Sequence, residues 1–109
     1  MDIKLNQNDY QKTLENNKIV LLDFYADWCG PCQTLLPTIQ KLAEEYEGKV
    51  AIKKVNVDEN SELAAQFQVR SIPTLIYFSE GEVAGRHTGL APENELKDQL
   101  NKLILTSIN

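Results

Sequence analysis

Ile19-Val20-Leu21-Leu22-Asp23-Phe24-Tyr25-Ala26 runs, after one further aspartate, into Trp28-Cys29-Gly30-Pro31-Cys32. The first stretch is a nearly continuous apolar run rich in strand formers, the pattern of a central strand covered on both faces. The second holds the chain's only two cysteines, three positions apart, where a helical pattern begins. A thiol pair at a strand-to-helix corner suits reversible dithiol/disulfide chemistry. The thiolate is the nucleophile, and the unpaired N–H groups and dipole of a helix start favour negative charge. The second cysteine stands close enough to attack any mixed disulfide formed by the first.

Outward from this corner, strand and helix patterns alternate. Between Pro31 and Tyr46 the apolar positions Leu35, Ile39, Leu42 and Tyr46 recur at helical spacing, widened by Leu36 and Ala43. Gly48 is a plausible stop, and Pro37 predicts a kink. Val50–Val57 reads as a second strand and Thr74–Phe78 as a third. The Glu80-Gly81 turn then leads into Val83–Thr88 as an antiparallel partner. Ser61–Phe67 carries Leu63, Ala64 and Phe67 on one helical side. Pro92–Ile104 buries Leu96, Leu100, Leu103 and Ile104. Ile3–Leu5 is expected as a short edge strand and Asn6–Leu14 as an opening helix. The order implies an α/β chain with a central mixed β-sheet flanked by helices on both faces. No repeat, linker or low-complexity segment divides it, so residues 1–109 are expected to form a single domain.

Composition bounds the function. At 42% hydrophobic and 25% charged residues the chain is an ordinary globular one, long enough for a continuous core. A net charge of −5 argues against nucleic acid or an anionic membrane as partner, since both select basic patches. The opening Met1-Asp2-Ile3-Lys4-Leu5-Asn6-Gln7 has no apolar signal region, and no run approaches a membrane span. The chain is therefore expected in the cytoplasm, where paired cysteines are catalytic or metal-binding more often than structural.

The alternatives for the cysteines are weak. Zinc takes four ligands, and only these two thiols and the sequence-distant His87 are on offer, so no metal is expected. Closing a loop of so few residues is worth about 2 kcal/mol against about 3 for a loop of about 15, so a structural bridge gains little. Cys29, before the helix, should be the exposed attacking thiol, and Cys32, in the first turn, the buried resolving one. Gly30 and Pro31 shape the corner, with Pro31 fixing φ at the helix start. Asp23 is a carboxylate inside an apolar strand leading to these thiols. An aspartate there either reaches solvent or is buried. Burial would raise its pKa and let it exchange a proton with Cys32 near neutral pH. Lys54 would then be its neighbour, with Lys53 on the opposite face.

The stretches Asp23 to Cys32, Pro37, Lys54-Val55-Asn56-Val57-Asp58, Val69-Arg70-Ser71-Ile72-Pro73-Thr74, Gly81 and Gly89 resemble the thioredoxin family. The match runs in order and spacing from about Leu5 to Leu103. Relatives acting as oxidants or isomerases usually carry His as the second residue between the cysteines, where this chain has Pro31. The resemblance implies the thioredoxin fold and a general protein-disulfide reductase acting on disulfide-containing protein substrates. It further implies a monomer recharged by thioredoxin reductase, with no cofactor beyond the redox-active Cys29-Cys32 disulfide. The resemblance supports proton exchange by Asp23 and makes Ile72-Pro73 a cis peptide bond beside the cysteines. Ile72 would then offer backbone groups to a peptide held briefly as an extended strand. Trp28, Gly89 and Leu90 would complete an apolar rim around Cys29. Two features depart from the usual pattern: Tyr25 stands where many members have Trp, and Gln33-Thr34 follow the motif where a basic residue is frequent. Two other readings stay open, a binding module using the same apolar patch and a thiol oxidase or isomerase, which the Gly-Pro insert disfavours.

Overall fold

β1 (Ile19–Tyr25) is buried at every position in the computed structural model, which describes residues 1–107. Around it the chain forms α1 (Tyr10–Asn16), α2 (Gly30–Glu45), β2 (Ala51–Asn56), α3 (Ser61–Gln66), β3 (Thr74–Ser79), β4 (Glu82–Thr88) and α4 (Glu93–Ser107). The sheet order is β2-β1-β3-β4. β2 lies parallel to β1, reached through the helical crossover α2, while β3 and β4 run antiparallel to their neighbours. This is the mixed sheet expected from the alternating pattern.

Side chains of a strand alternate between faces, and β1 shows the consequence. Val20, Leu22 and Phe24 join Val55, Ile76 and Phe78 beneath α3, with Tyr10 and Leu14 of α1 packed against them. Ile19 and Leu21 join Leu35, Ile39 and Leu42 of α2 and Leu96, Leu100 and Leu103 of α4 on the other face. Two cores therefore share one sheet.

Several boundaries differ from the sequence reading, each for a local reason. The helix expected over Asn6–Leu14 starts at Tyr10 and extends to Asn16. Asn6 delays it: its side chain accepts from the Asn8 N–H at 2.9 Å and its carbonyl from the Asp9 N–H at 3.0 Å. That Asx turn competes with the first helical turn. The edge strand expected over Ile3–Leu5 reduces to a single bridge between Lys4 and Lys54. Helix α2 spans Pro37, as the helical spacing from Pro31 to Tyr46 implied, with the proline on its exposed side. Ile104, expected in the core, is only half-buried. After β2, the turn into α3 is held by buried amides. Asn56 Oδ1 accepts the Asp58 N–H at 2.9 Å, and Asn60 Oδ1 accepts the Gln7 N–H at 2.8 Å.

Candidate active site

The carboxyl end of β1 delivers the chain to the start of α2, and both cysteines lie at that junction. Cys29 is the N-cap and Pro31 sits in the first helical turn, where its fixed φ and missing N–H cost nothing. Cys29 and Cys32 form a disulfide with a Cα–Cα distance of 5.2 Å. The Cys32 N–H donates to Cys29 Sγ at 3.2 Å, so the sulfur occupies the helix-capping position. Such a position stabilises a thiolate through a backbone donor and the helix dipole. Cys29 is 5% exposed and Cys32 fully buried. The expected order of exposure holds, but Cys29 is more enclosed than an exposed thiol. A Cβ on Gly30 would meet nothing within 4 Å. Its lack of a side chain therefore answers no packing demand, and leaves the surface beside Cys29 uncovered.

The surroundings of the sulfurs are apolar: Tyr25, Ala26, Leu36, Val57 and Ile72 pack with the two cysteines. The Ile72-Pro73 peptide bond is cis, and the Ile72 carbonyl oxygen lies 3.8 Å from Cys29 Sγ. Gly89, at φ +96°, donates its N–H to the Pro73 carbonyl at 2.8 Å, joining the exit of β4 to this loop. Leu90 and Trp28 lie at the surface, 54% and 72% exposed. Trp28 is not simply an apolar rim: its indole N–H donates to Asp58 Oδ2 at 2.8 Å. Asp58 received no role from the sequence, although it closes the Lys54–Asp58 stretch that carried the resemblance.

Asp23 falls two residues before Tyr25 and two after Leu21, so strand alternation points it toward the α2 side of the sheet. It is fully buried, and neither carboxylate oxygen has a hydrogen-bond partner among the described residues. Burial pushes its pKa up to about 7, and the charge of Lys54 opposes that rise. Lys54 is Asp23's register partner on β2, half-buried, with its ammonium 5.3 Å from the centroid of the Tyr25 ring. A cation held over an aromatic face is steadied there by the ring quadrupole. Tyr25, singled out only as a departure, thus helps hold Lys54 on the Asp23 side. His87 lies on β4, with Nε2 3.0 Å from the Leu90 carbonyl. Among the described residues no group of three or more His, Cys, Asp or Glu is arranged to hold a metal.

A dithiol at a helix start, with one sulfur in the capping position, can exchange with an external disulfide. Comparisons with known proteins agree. The thioredoxin family model matches residues 2–102. A thioredoxin from Haemophilus influenzae is 43% identical over 103 residues, covering 94% of this chain and 96% of that protein. One from Chlorobaculum thiosulfatiphilum is 42% identical over 99 residues, 91% of this chain and 92% of the relative. Among solved structures, a point mutant of the thioredoxin from Halobacterium salinarum superposes with a TM-score of 0.85 at 42% identity. That match covers 93% of this chain and 88% of the other.

Proposed function

This chain belongs to the thioredoxin family, and from that premise we propose how its residues divide the work. It is a protein-disulfide oxidoreductase acting by thiol–disulfide exchange through Cys29 and Cys32. In the reduced protein the Cys29 thiolate attacks one sulfur of a substrate disulfide. A Cys29–substrate bond forms and the other substrate sulfur leaves as a thiolate. Cys32 gives up its proton and attacks Cys29 Sγ, closing the Cys29–Cys32 disulfide and releasing the second substrate thiol. Two electrons pass to the substrate, and an external reductant must return them.

The observation carrying this division is the asymmetry of the pair: Cys29 caps the helix and keeps some exposure, while Cys32 has none. Asp23 is the proton acceptor for Cys32, a role supported by its burial and raised pKa, and Lys54 steadies its charged form. The Ile72 and Pro73 backbone holds a substrate peptide in extended form beside Cys29. Trp28, Gly30, Pro31, Gly89 and Leu90 form the surface the peptide meets. Main-chain bonds read no sequence, which suits a broad range of protein substrates. The recycling partner is thioredoxin reductase, the disulfide is the only redox group, and the protein works as a single-domain monomer in the cytoplasm.

Reduction of insulin disulfides by dithiothreitol, with and without catalytic amounts of the protein, tests the activity. Cys29→Ser abolishes turnover. Cys32→Ser still attacks but accumulates as a mixed disulfide with its substrate, visible by mass spectrometry. The opposite pattern in the two variants would reverse attacker and resolver.

A further inference from the structure

Helix α3 ends with Gln68 in the left-handed region, at φ +54°. The Val69 N–H reaches back to the Ala64 carbonyl at 2.9 Å and the Gln68 N–H to the Ala65 carbonyl at 3.0 Å. This is a Schellman ending, usually built around glycine, here built around glutamine. It turns the Phe67 and Gln68 carbonyls outward. One side chain takes both: Arg86 Nη2 donates to the Phe67 oxygen at 2.6 Å and to the Gln68 oxygen at 3.1 Å. Arg86 reaches them from the middle of β4, on the face opposite Gly85, whose position looks onto Tyr77 and Gln99. A cation on the last carbonyls of a helix is favoured by the helix dipole as well as by the bonds themselves.

The segment that begins there runs through Val69, Arg70 and Ser71 to Ile72 and Pro73. Its far end is also fastened to β4. Thr74 Oγ1 donates to the Ser71 carbonyl at 2.6 Å and lies 3.4 Å from Thr88 Oγ1, and the Gly89 N–H holds the Pro73 carbonyl. One edge strand thus clamps both ends of the loop that faces Cys29.

We propose that Arg86 is a positioning residue for protein substrates, fixing the near end of the 67–73 loop so that the Ile72 backbone is presented to an incoming peptide. This rests on the reading of Ile72 and Pro73 as the peptide-holding segment. Arg86 touches neither the thiols nor the substrate; it acts through the loop. With the clamp removed, capture suffers and exchange does not.

The test is steady-state reduction of insulin by the full-length protein and its Arg86→Gln, Arg86→Lys and Ile72→Pro variants, with amide hydrogen exchange on the same samples. Arg86→Gln raises KM about three- to tenfold, the range expected when the net contribution of one typical hydrogen bond is lost, and leaves kcat within about twofold. Exchange at Gln68 and Val69 accelerates. Arg86→Lys, which keeps a cationic donor of similar reach, restores most of the KM. Ile72→Pro, which deletes the backbone N–H offered to the peptide, raises KM independently. A raised KM in Ile72→Pro beside an unchanged KM in Arg86→Gln overturns the role of Arg86 alone. Unchanged KM in both overturns the loop reading and the role of Arg86 with it. A fall in kcat at constant KM, or a defect that lysine does not restore, also overturns the proposal.

Discussion

Asp23 is buried with no hydrogen-bond partner for either oxygen among the described residues, an arrangement that costs stability whenever the group is charged. Its pKa stands at about 7 in the folded chain against an ordinary 3.8. The folded state therefore holds a proton that the unfolded chain has already released between those values. Stability falls as pH rises through that window and levels off above about 7, by a total of about 4 kcal/mol. Asp23→Ala removes the loss. The variant should match the wild type closely near pH 4 and exceed it by a margin that widens toward pH 8, while reducing insulin more slowly. Urea denaturation across that range reads the difference, and a constant offset would mean that Asp23 titrates as an exposed acid. This residue was legible in the sequence because a carboxylate within an apolar run announces itself. Arg86 and Asp58 were not. Arg86 bonds to main-chain carbonyls 19 and 18 positions away, and any residue type carries such carbonyls. Asp58 meets an indole 30 positions away, a pairing that no local period encodes.

At the level of single elements, the β3–β4 hairpin shows how backbone conformation writes itself into sequence. Its two turn residues, Glu80 and Gly81, have φ of +51° and +83°. Both lie in the left-handed region, as the tight turn between right-twisted strands requires. A Cβ at Gly81 would meet nothing within 4 Å, so the penalty of a side chain there is conformational alone. Gly81→Ala should lower stability by about 1 kcal/mol, seen as a lower urea midpoint at unchanged slope. Disulfide reduction should be unaffected, because the turn lies at the end of the hairpin away from Pro73 and Gly89. The Glu80-Gly81 turn was readable since glycine is the usual answer to that φ. The equivalent demand at Gln68 was not, since glutamine gives no such signal. The late start of α1 was missed for a related reason. Asn6 reads equally as a helix cap or as an Asx turn, and only its bonds to Asn8 and Asp9 decide between them.

Across the whole molecule, strand and helix patterns imply one sheet covered by helices on both faces, but not which residues of a strand enter which core. That assignment comes from β1 and β3, whose alternate residues enter opposite cores. Leu21 and Leu75 pack with α2 and α4, while Leu22 and Ile76 pack beneath α3. A continuous apolar run such as Val20 to Leu22 conceals the alternation, because both sides of the strand are equally apolar. Sharing has a thermodynamic consequence. Both cores are built on β1 and β3, so damage on either face should weaken the same cooperative unit. Leu100→Ala on the α4 side and Leu63→Ala on the α3 side, both buried, should each cost about 2–5 kcal/mol. That is a large fraction of the roughly 5–15 kcal/mol typical of such a domain. In both variants fluorescence of Trp28 and far-ultraviolet circular dichroism should report one coincident transition, shifted to lower denaturant. If the Leu63 variant instead unfolded in two steps, with the α2–α4 side surviving the first, the two layers would be separable units. The sheet would then join them without making them one.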